Sequence, residues 1–357
     1  MKNGKAYFTK TLLRWNKSDN KRLMPWKGET DPYKIWLSEI ILQQTRVEQG
    51  WNYYNRFIAA YPNIKKLGTS TEQKVFKMWE GLGYYTRCKN LIATAKFISK
   101  ERSGKFPETY DDILALKGVG PYTAAAIASF AFNLPHAVLD GNVFRVLSRY
   151  FGIETAIDSA DGKKIFASLA HELLDKKNPG IYNQAIMDFG AVMCKPLKPL
   201  CQNCPLKTKC VARLQNLVDK LPFKETKLIK RTRWFYYLII EHNEKIYVRK
   251  RPAKDIWENL YEFVLLETGK LMTIEEIKQT ALFKKVVSKH KTELISISKL
   301  YKQQLTHQTI QGRFIHIKQK HELSLEKYKA VSYSKLAQLP FPKLITLYLA
   351  ENGPKHL

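Results

Sequence analysis

Four of the five cysteines, Cys194, Cys201, Cys204 and Cys210, fall within seventeen positions in a C-x6-C-x2-C-x5-C spacing. Together their thiolates could hold a tetrahedral zinc or a 4Fe-4S cluster, and spacing alone does not choose between the two. Inert core cysteines obey no such rule, so Cys88, far upstream and alone, reads as a core residue. Two carboxylates also stand out. Glu39 lies among Trp36, Leu37, Ile40, Ile41 and Leu42. A lone helical glutamate usually faces solvent, yet apolar surroundings would raise its pKa and keep a proton available near neutrality, as a general acid requires. Asp140 opens the apolar run in VLDGNVFRVLSR. Its plain reading is a helix N-cap; its chemical reading is an ionised carboxylate beside a developing positive charge.

About twenty residues before Asp140, LKGVGPYTAAAIASF sets two glycines around one valine between apparent helices. Such a turn exposes backbone N–H groups at a helix start, which suits a phosphate, although many GVG turns only connect helices. The whole chain is strongly basic, with 60 Lys and Arg against 32 Asp and Glu and a net charge of +28 over 357 residues. A polyanionic partner is the natural inference, with a solubilising coat of lysine as the alternative. With 45% hydrophobic residues, the chain can bury about two cores, which excludes general disorder. The basic start lacks a signal-peptide core, and no apolar run approaches the roughly 18 residues of a membrane span. A cytoplasmic setting is expected, where clustered cysteines favour metal over disulfides.

The elements that must position these residues change character along the chain. Up to about residue 213 apolar residues recur at three- and four-residue steps, as in Ile35, Trp36, Ile40 and Ile41, or Ile165, Leu169 and Leu173. Asp31-Pro32 and residues 108–112 supply helix starts, and Gly81, Gly83, Gly118 and Gly120 mark tight interruptions. This half reads as all-α. The basic, Pro-containing stretch LPFKETKLIKRTR reads as a linker. Beyond it, WFYYLIIE and KIYVRKR flank a hairpin signal at His242-Asn243-Glu244, and KTELISISK and GRFIHIKQ are further β-rich runs with helix-like TIEEIKQTALF before them. The expected organisation is a helical domain over residues 1–213, a linker over 214–232 and an α+β domain over 233–350.

The cysteine spacing resembles the cluster loop of the endonuclease III and MutY superfamily of helix-hairpin-helix DNA glycosylases. That resemblance implies 4Fe-4S rather than zinc at Cys194, Cys201, Cys204 and Cys210, with Lys195, Lys198, Lys207 and Lys209 drawing in phosphates. LKGVGPYT is similar to the family's hairpin, with Lys117 where proline is common. Gly118, Val119, Gly120 and Thr123 would then meet DNA, and Asp140 becomes the carboxylate beside the sugar. Lyases of the endonuclease III type carry a nucleophilic lysine two positions past the second hairpin glycine; here it is Tyr122, which cannot form a Schiff base. DPYKIWLSEIILQQTRVEQ resembles the segment of the MutY branch that carries its catalytic glutamate, matched by Glu39.

Resemblance to the MutY branch implies a monofunctional glycosylase that hydrolyses the bond to adenine mispaired with 8-oxoguanine, and with guanine as well. Glu39 would protonate the five-membered-ring nitrogen of the leaving adenine and then activate water, with Tyr122 and Asn142 positioning the acidic groups. RLMPWKGETDPY is similar to the family's adenine-pocket strand, placing Arg22, Met24 and Trp26 around the extruded base, with Gln184 as a further wall. Gln44, Thr45, Leu82 and Tyr84 match residues that fill the duplex near the opposite base. KRPAKDIWENLYEF resembles the start of a MutT-like (Nudix-fold) domain but lacks the glutamate-rich Nudix box, so this domain should bind rather than cut. Leu305-Thr306-His307 aligns with the family's Phe-Ser-His lesion loop without its aromatic residue, leaving Thr306 and His307 to recognise 8-oxoguanine. The implied partner is double-stranded DNA carrying the mispair, bound by a monomer. Two rivals stand beside this reading: a pyrimidine-lesion glycosylase and lyase, and a noncatalytic DNA-binding protein with structural zinc.

Overall fold

A computed structural model describes residues 2–226, 230–253, 255–287 and 292–352. Six helices open the chain: α1 (Lys2–Ser18), α2 (Pro32–Leu42), α3 (Val47–Ala60), α4 (Ile64–Gly68), α5 (Glu72–Trp79) and α6 (Tyr85–Glu101). Six more follow: α7 (Tyr110–Leu114), α8 (Pro121–Phe132), α9 (Gly141–Phe151), α10 (Ala160–Leu173), α11 (Pro179–Val192) and α12 (Val211–Leu214). Local chemistry sets their ends. Asp31 caps α2 by accepting from the Tyr33 N–H, and Pro32 takes the first turn, where its missing N–H costs nothing. Pro121 likewise takes the first turn of α8, which Gly120 precedes without a side-chain cap, and Asn133 ends it in the left-handed conformation.

Helices α1, α8, α9, α10 and α11 share one core around Phe8, Trp15, Leu147, Phe166, Tyr182 and Phe189. Cys194, Cys204 and Cys210 pack against its edge. The α9 helix ends at Gly152, with φ +68°, where an added Cβ would lie 2.4 Å from Val211. Glycine is therefore required there by conformation and by space.

The later part is built on a mixed sheet of β1 (Arg231–His242), β2 (Lys245–Lys250), β3 (Tyr261–Glu262), β4 (Val264–Thr268), β5 (Thr292–Ile297), β6 (Tyr301–Gln304), β7 (Gln308–Gln319) and β8 (Lys329–Ser332). Its path runs β3-β2-β1-β7-β5, with β4 beside β1, β6 beside β7 and β8 beside β2. Strand β1 pairs parallel with β7 from Arg231↔Gln308 to Glu241↔Lys318. It begins at Arg231, inside the stretch expected as linker, because this pairing extends it. The hairpin turn is Asn243-Glu244, both at positive φ (46° and 58°), which matches strand twist. His242 belongs to β1, where it faces Lys245.

TIEEIKQTALF forms two helices, α13 (Ile274–Gln279) and α14 (Ala281–Val287), not one. Thr280 adopts an extended conformation, donates to the Ile277 carbonyl and accepts from the Phe283 N–H, so it ends one helix and starts the next. One sheet face packs Tyr236, Leu238, Ile315 and Ile317 on these helices. On the other, Phe314 stacks between Tyr237 and Tyr348 of α16 (Lys343–Asn352), which follows α15 (Tyr333–Ala337).

Two compact units result: Met1–Thr69 with Lys89–Lys227, and Ser70–Cys88 with Leu228–Leu357. Residues 70–88 therefore group with the sheet rather than with the other helices. Within that second unit Glu80 accepts from the Phe341 N–H at 2.7 Å and Lys77 donates to the Leu339 carbonyl at 3.0 Å. Among the described residues no helix is long and apolar enough to cross a membrane.

Candidate active site

In the first unit, α2, α8, α9, α11 and the irregular segment after α1 surround a cleft of about 920 Å³. Glu39, Tyr122, Asp140 and Asn142 line it, as do Arg22, Met24, Trp26 and Gln184. Eight residues singled out over 163 positions of sequence thus converge on one cavity. Gln44 and Thr45 also line it, Gln44 in a left-handed backbone conformation at φ 56°.

Glu39 is only 6% exposed. Burial pushes its carboxyl up to about 7, the hydrogen bond from the Tyr122 hydroxyl opposes this, and the neighbouring Asp140 charge adds to the rise. Near neutral pH it is divided between acid and base. Tyr122 keeps its proton, its pKa raised far above the usual phenol value by burial and then by the two carboxylates. Asp140 is raised by burial more mildly, because the Val143 N–H and Asn142 Nδ2 donate to it at 2.8 and 2.7 Å. Its N-cap and cleft-lining readings hold together: one oxygen caps α9 and the other takes the Asn142 amide.

The hairpin connects α7 to α8. Gly118 has φ +82°, and an added Cβ would lie 2.6 Å from that of Asn90. At Gly120 an added Cβ would meet open space, so the backbone at the α8 start is free to be approached. Thr94 fixes the turn by donating to the Lys117 carbonyl, Val119 is buried, and buried Thr123 accepts from Gln43 at 3.3 Å.

Sequence reasoning missed Asp188, a wholly buried residue of α11. It accepts from Arg22 at 2.8 Å, Lys27 at 3.0 Å, Gln184 at 2.9 Å and Asn20 at 2.8 Å. It therefore orients two of the expected pocket residues. The signal was present: a carboxylate in the apolar run Ala185-Ile186-Met187-Phe189 demands a cation. Arg145 was missed as well. It donates to Asn142 Oδ1 at 2.8 Å and to the Cys194 carbonyl at 2.8 Å, joining the support of Asp140 to the cysteine loop.

Cys194, Cys201, Cys204 and Cys210 stand within electrostatic reach of one another. Burial first, then the three other sulfurs, push the Cys204 thiol up to about 12. A buried thiol such as Cys204 gives up its proton only beside compensating positive charge, which a thiolate-bound metal centre would supply. Among the described residues no three His, Cys, Asp or Glu side chains gather around a single-ion site. Lys198 and Lys209 are exposed, while Lys195 and Lys207 are half-buried. Cys88 is fully buried.

In the second unit, Thr306 and His307 lie in the turn between β6 and β7, closed by the Leu305 N–H donating to the Gln308 carbonyl. The Tyr84 hydroxyl is hydrogen-bonded to that of Thr306. Tyr84 is 42% exposed at φ 48°, whereas Leu82 is buried.

Helical architecture, hairpin and cleft define a base-excision DNA glycosylase of the helix-hairpin-helix class. Residues 37–172 match the HhH-GPD superfamily of base excision DNA repair proteins, and residues 235–351 match the NUDIX domain. A thermostable thymine-DNA glycosylase structure is similar with a TM-score of 0.56 at 29% identity, covering 60% of this chain and 98% of that one. An endonuclease III–DNA complex shares the fold with a TM-score of 0.51 at 18% identity, covering 61% and 98%. Adenine DNA glycosylase of Buchnera aphidicola subsp. Acyrthosiphon pisum (strain APS) is 36% identical over 72% of this chain and 74% of its own length. That of Buchnera aphidicola subsp. Schizaphis graminum (strain Sg) is 37% identical over 80% and 81%. The chain belongs to the adenine DNA glycosylase family, and it is an enzyme.

Proposed function

We propose that this enzyme hydrolyses the N-glycosidic bond of adenine mispaired with 8-oxoguanine or guanine, without a lyase step. The observation that carries this is a buried Glu39, raised to about 7, sharing one cleft with Asp140 and with Tyr122 where a lyase needs an amine. The extruded adenine enters the cleft between Met24 and Trp26, with Arg22 and Gln184 held by Asp188 as polar walls. Protonated Glu39 donates to the departing base while Asp140, ionised and oriented by Asn142, stabilises the positive sugar. Glu39, now a carboxylate bonded to Tyr122, activates the attacking water.

The helical domain performs this chemistry, and the domain built on the sheet identifies the lesion. The Tyr84–Thr306 hydrogen bond supports the latter role by joining a duplex-filling side chain to the lesion loop. Cys194, Cys201, Cys204 and Cys210 would hold a 4Fe-4S cluster, which supplies a rigid, charge-compensated loop. Lys198 and Lys209 meet phosphates there. The protein acts as a monomer on DNA in the cytoplasm.

A duplex panel tests the proposal: adenine opposite 8-oxoguanine, guanine or thymine, and an oxidised pyrimidine, each with and without alkali. Adenine should be lost from the first two, leaving a strand that breaks only after alkali. Excision of the oxidised pyrimidine with spontaneous strand cleavage would instead support the lyase rival.

A further inference from the structure

Arg149, on the buried side of α9, is 3% exposed. Its Nε donates to the Leu221 carbonyl at 3.0 Å, Nη1 to the Lys195 carbonyl at 2.8 Å and Nη2 to the Pro196 carbonyl at 3.2 Å. Nη1 also lies 3.6 Å from Cys194 Sγ, and the Cys210 Sγ lies 3.4 Å from the Arg149 carbonyl oxygen. Among the described residues, every oxygen that accepts from the guanidinium is a neutral carbonyl, and no carboxylate hydrogen-bonds to it. Arginine cannot shed its proton, and a buried cation without an opposite charge is costly. The atom in its shell able to carry a negative charge is the Cys194 sulfur.

We infer that Arg149 is the counter-cation of the Cys194 thiolate and that its N–H···S hydrogen bond sets the one-electron potential of the cluster. This rests on the 4Fe-4S reading above. A hydrogen bond to a ligating sulfur withdraws electron density, and a positive charge beside the cluster favours the more reduced state. The carbonyl contacts fix where that charge sits. Arg149 is thus a positioning and tuning residue, outside the cleft that holds Glu39 and Asp140.

The test uses the anaerobically purified full chain, with iron content measured first and the cluster midpoint potential second. Arg149→Gln should lower the equilibrium constant for one-electron reduction at least tenfold, a shift of about 59 mV to more negative potential. Arg149→Lys, which keeps the charge but not the three carbonyl contacts, should stay within threefold of wild type. An iron-loaded Gln variant with an unchanged potential would reduce Arg149 to a staple of the loop and overturn the inference. Should that variant not accumulate, wild-type protein carrying 15N-guanidino arginine decides: pulsed EPR of the paramagnetic cluster should show a 15N coupling, and none would be equally fatal. Wild-type protein without iron would instead sink the cluster reading itself, before any variant is compared.

Discussion

Glu39 faces a conflict between folding and chemistry. Its carboxyl sits at about 7 in the folded chain against an ordinary 4.5, so between those pH values the native state binds more protons than the unfolded chain. This contribution is present below pH 4.5 and is lost as pH rises through about 7, amounting to about 3 kcal/mol. Glu39→Gln should therefore be more stable than wild type at pH 8 by up to that amount, with the gain vanishing near pH 4; denaturant titrations at both pH values would measure it. A gain independent of pH would mean that Glu39 is not protonated by burial. Asp188 makes the opposite case. Replacing it by Asn leaves Arg22 and Lys27 without their anion, at a cost of about 3 kcal/mol, and should raise KM for the mispaired duplex more than it lowers kcat. Equal effects of Asp188→Asn on both parameters would remove it from pocket orientation.

Between helices, the cleft depends on how closely α11 approaches α9. An added Cβ on Gly190 would lie 2.6 Å from the Asn142 Cβ and 3.0 Å from its carbonyl oxygen. Gly190→Ala should therefore displace Asn142 and through it Asp140, lowering single-turnover excision at least tenfold while duplex binding survives. Unchanged excision would show that α9 can yield without moving the carboxylate. Much of this level was legible in sequence, because capping is local: Asp31-Pro32 and Gly120-Pro121 announce their helices within two residues. Glu39 and Asp140 were legible through their apolar settings and a family resemblance. The supports were not. Asp188 meets Arg22 across 166 positions and Arg145 meets Cys194 across 49, so neither pairing leaves a trace in local pattern. Residues 70–88 read as one more helical stretch, yet Glu80 and Lys77 bond residues more than 260 positions away.

At the scale of the molecule, the proposed function assigns general attraction to the charge of +28 and discrimination to the second unit. Affinity for undamaged duplex should fall steeply with salt, because releasing condensed counterions gains less free energy as the bulk salt concentration rises. Discrimination should respond to different residues. Changing Thr306 and His307 together to Ala should weaken the preference for 8-oxoguanine over guanine by about 1 to 3 kcal/mol, with the cleft untouched. Equal losses on both substrates would mean that this turn supplies affinity alone.

Single-turnover excision by Glu39→Gln, followed from pH 6 to pH 9 on duplex with adenine opposite 8-oxoguanine, bears most directly on the proposed chemistry. Wild-type excision should fall as pH rises through about 7 and the acid form of Glu39 is lost. The variant should be slower by about 100- to 10,000-fold with that dependence gone, while binding and iron content are retained. Near-wild-type excision by a folded Glu39→Gln enzyme would contradict the role given to this carboxyl.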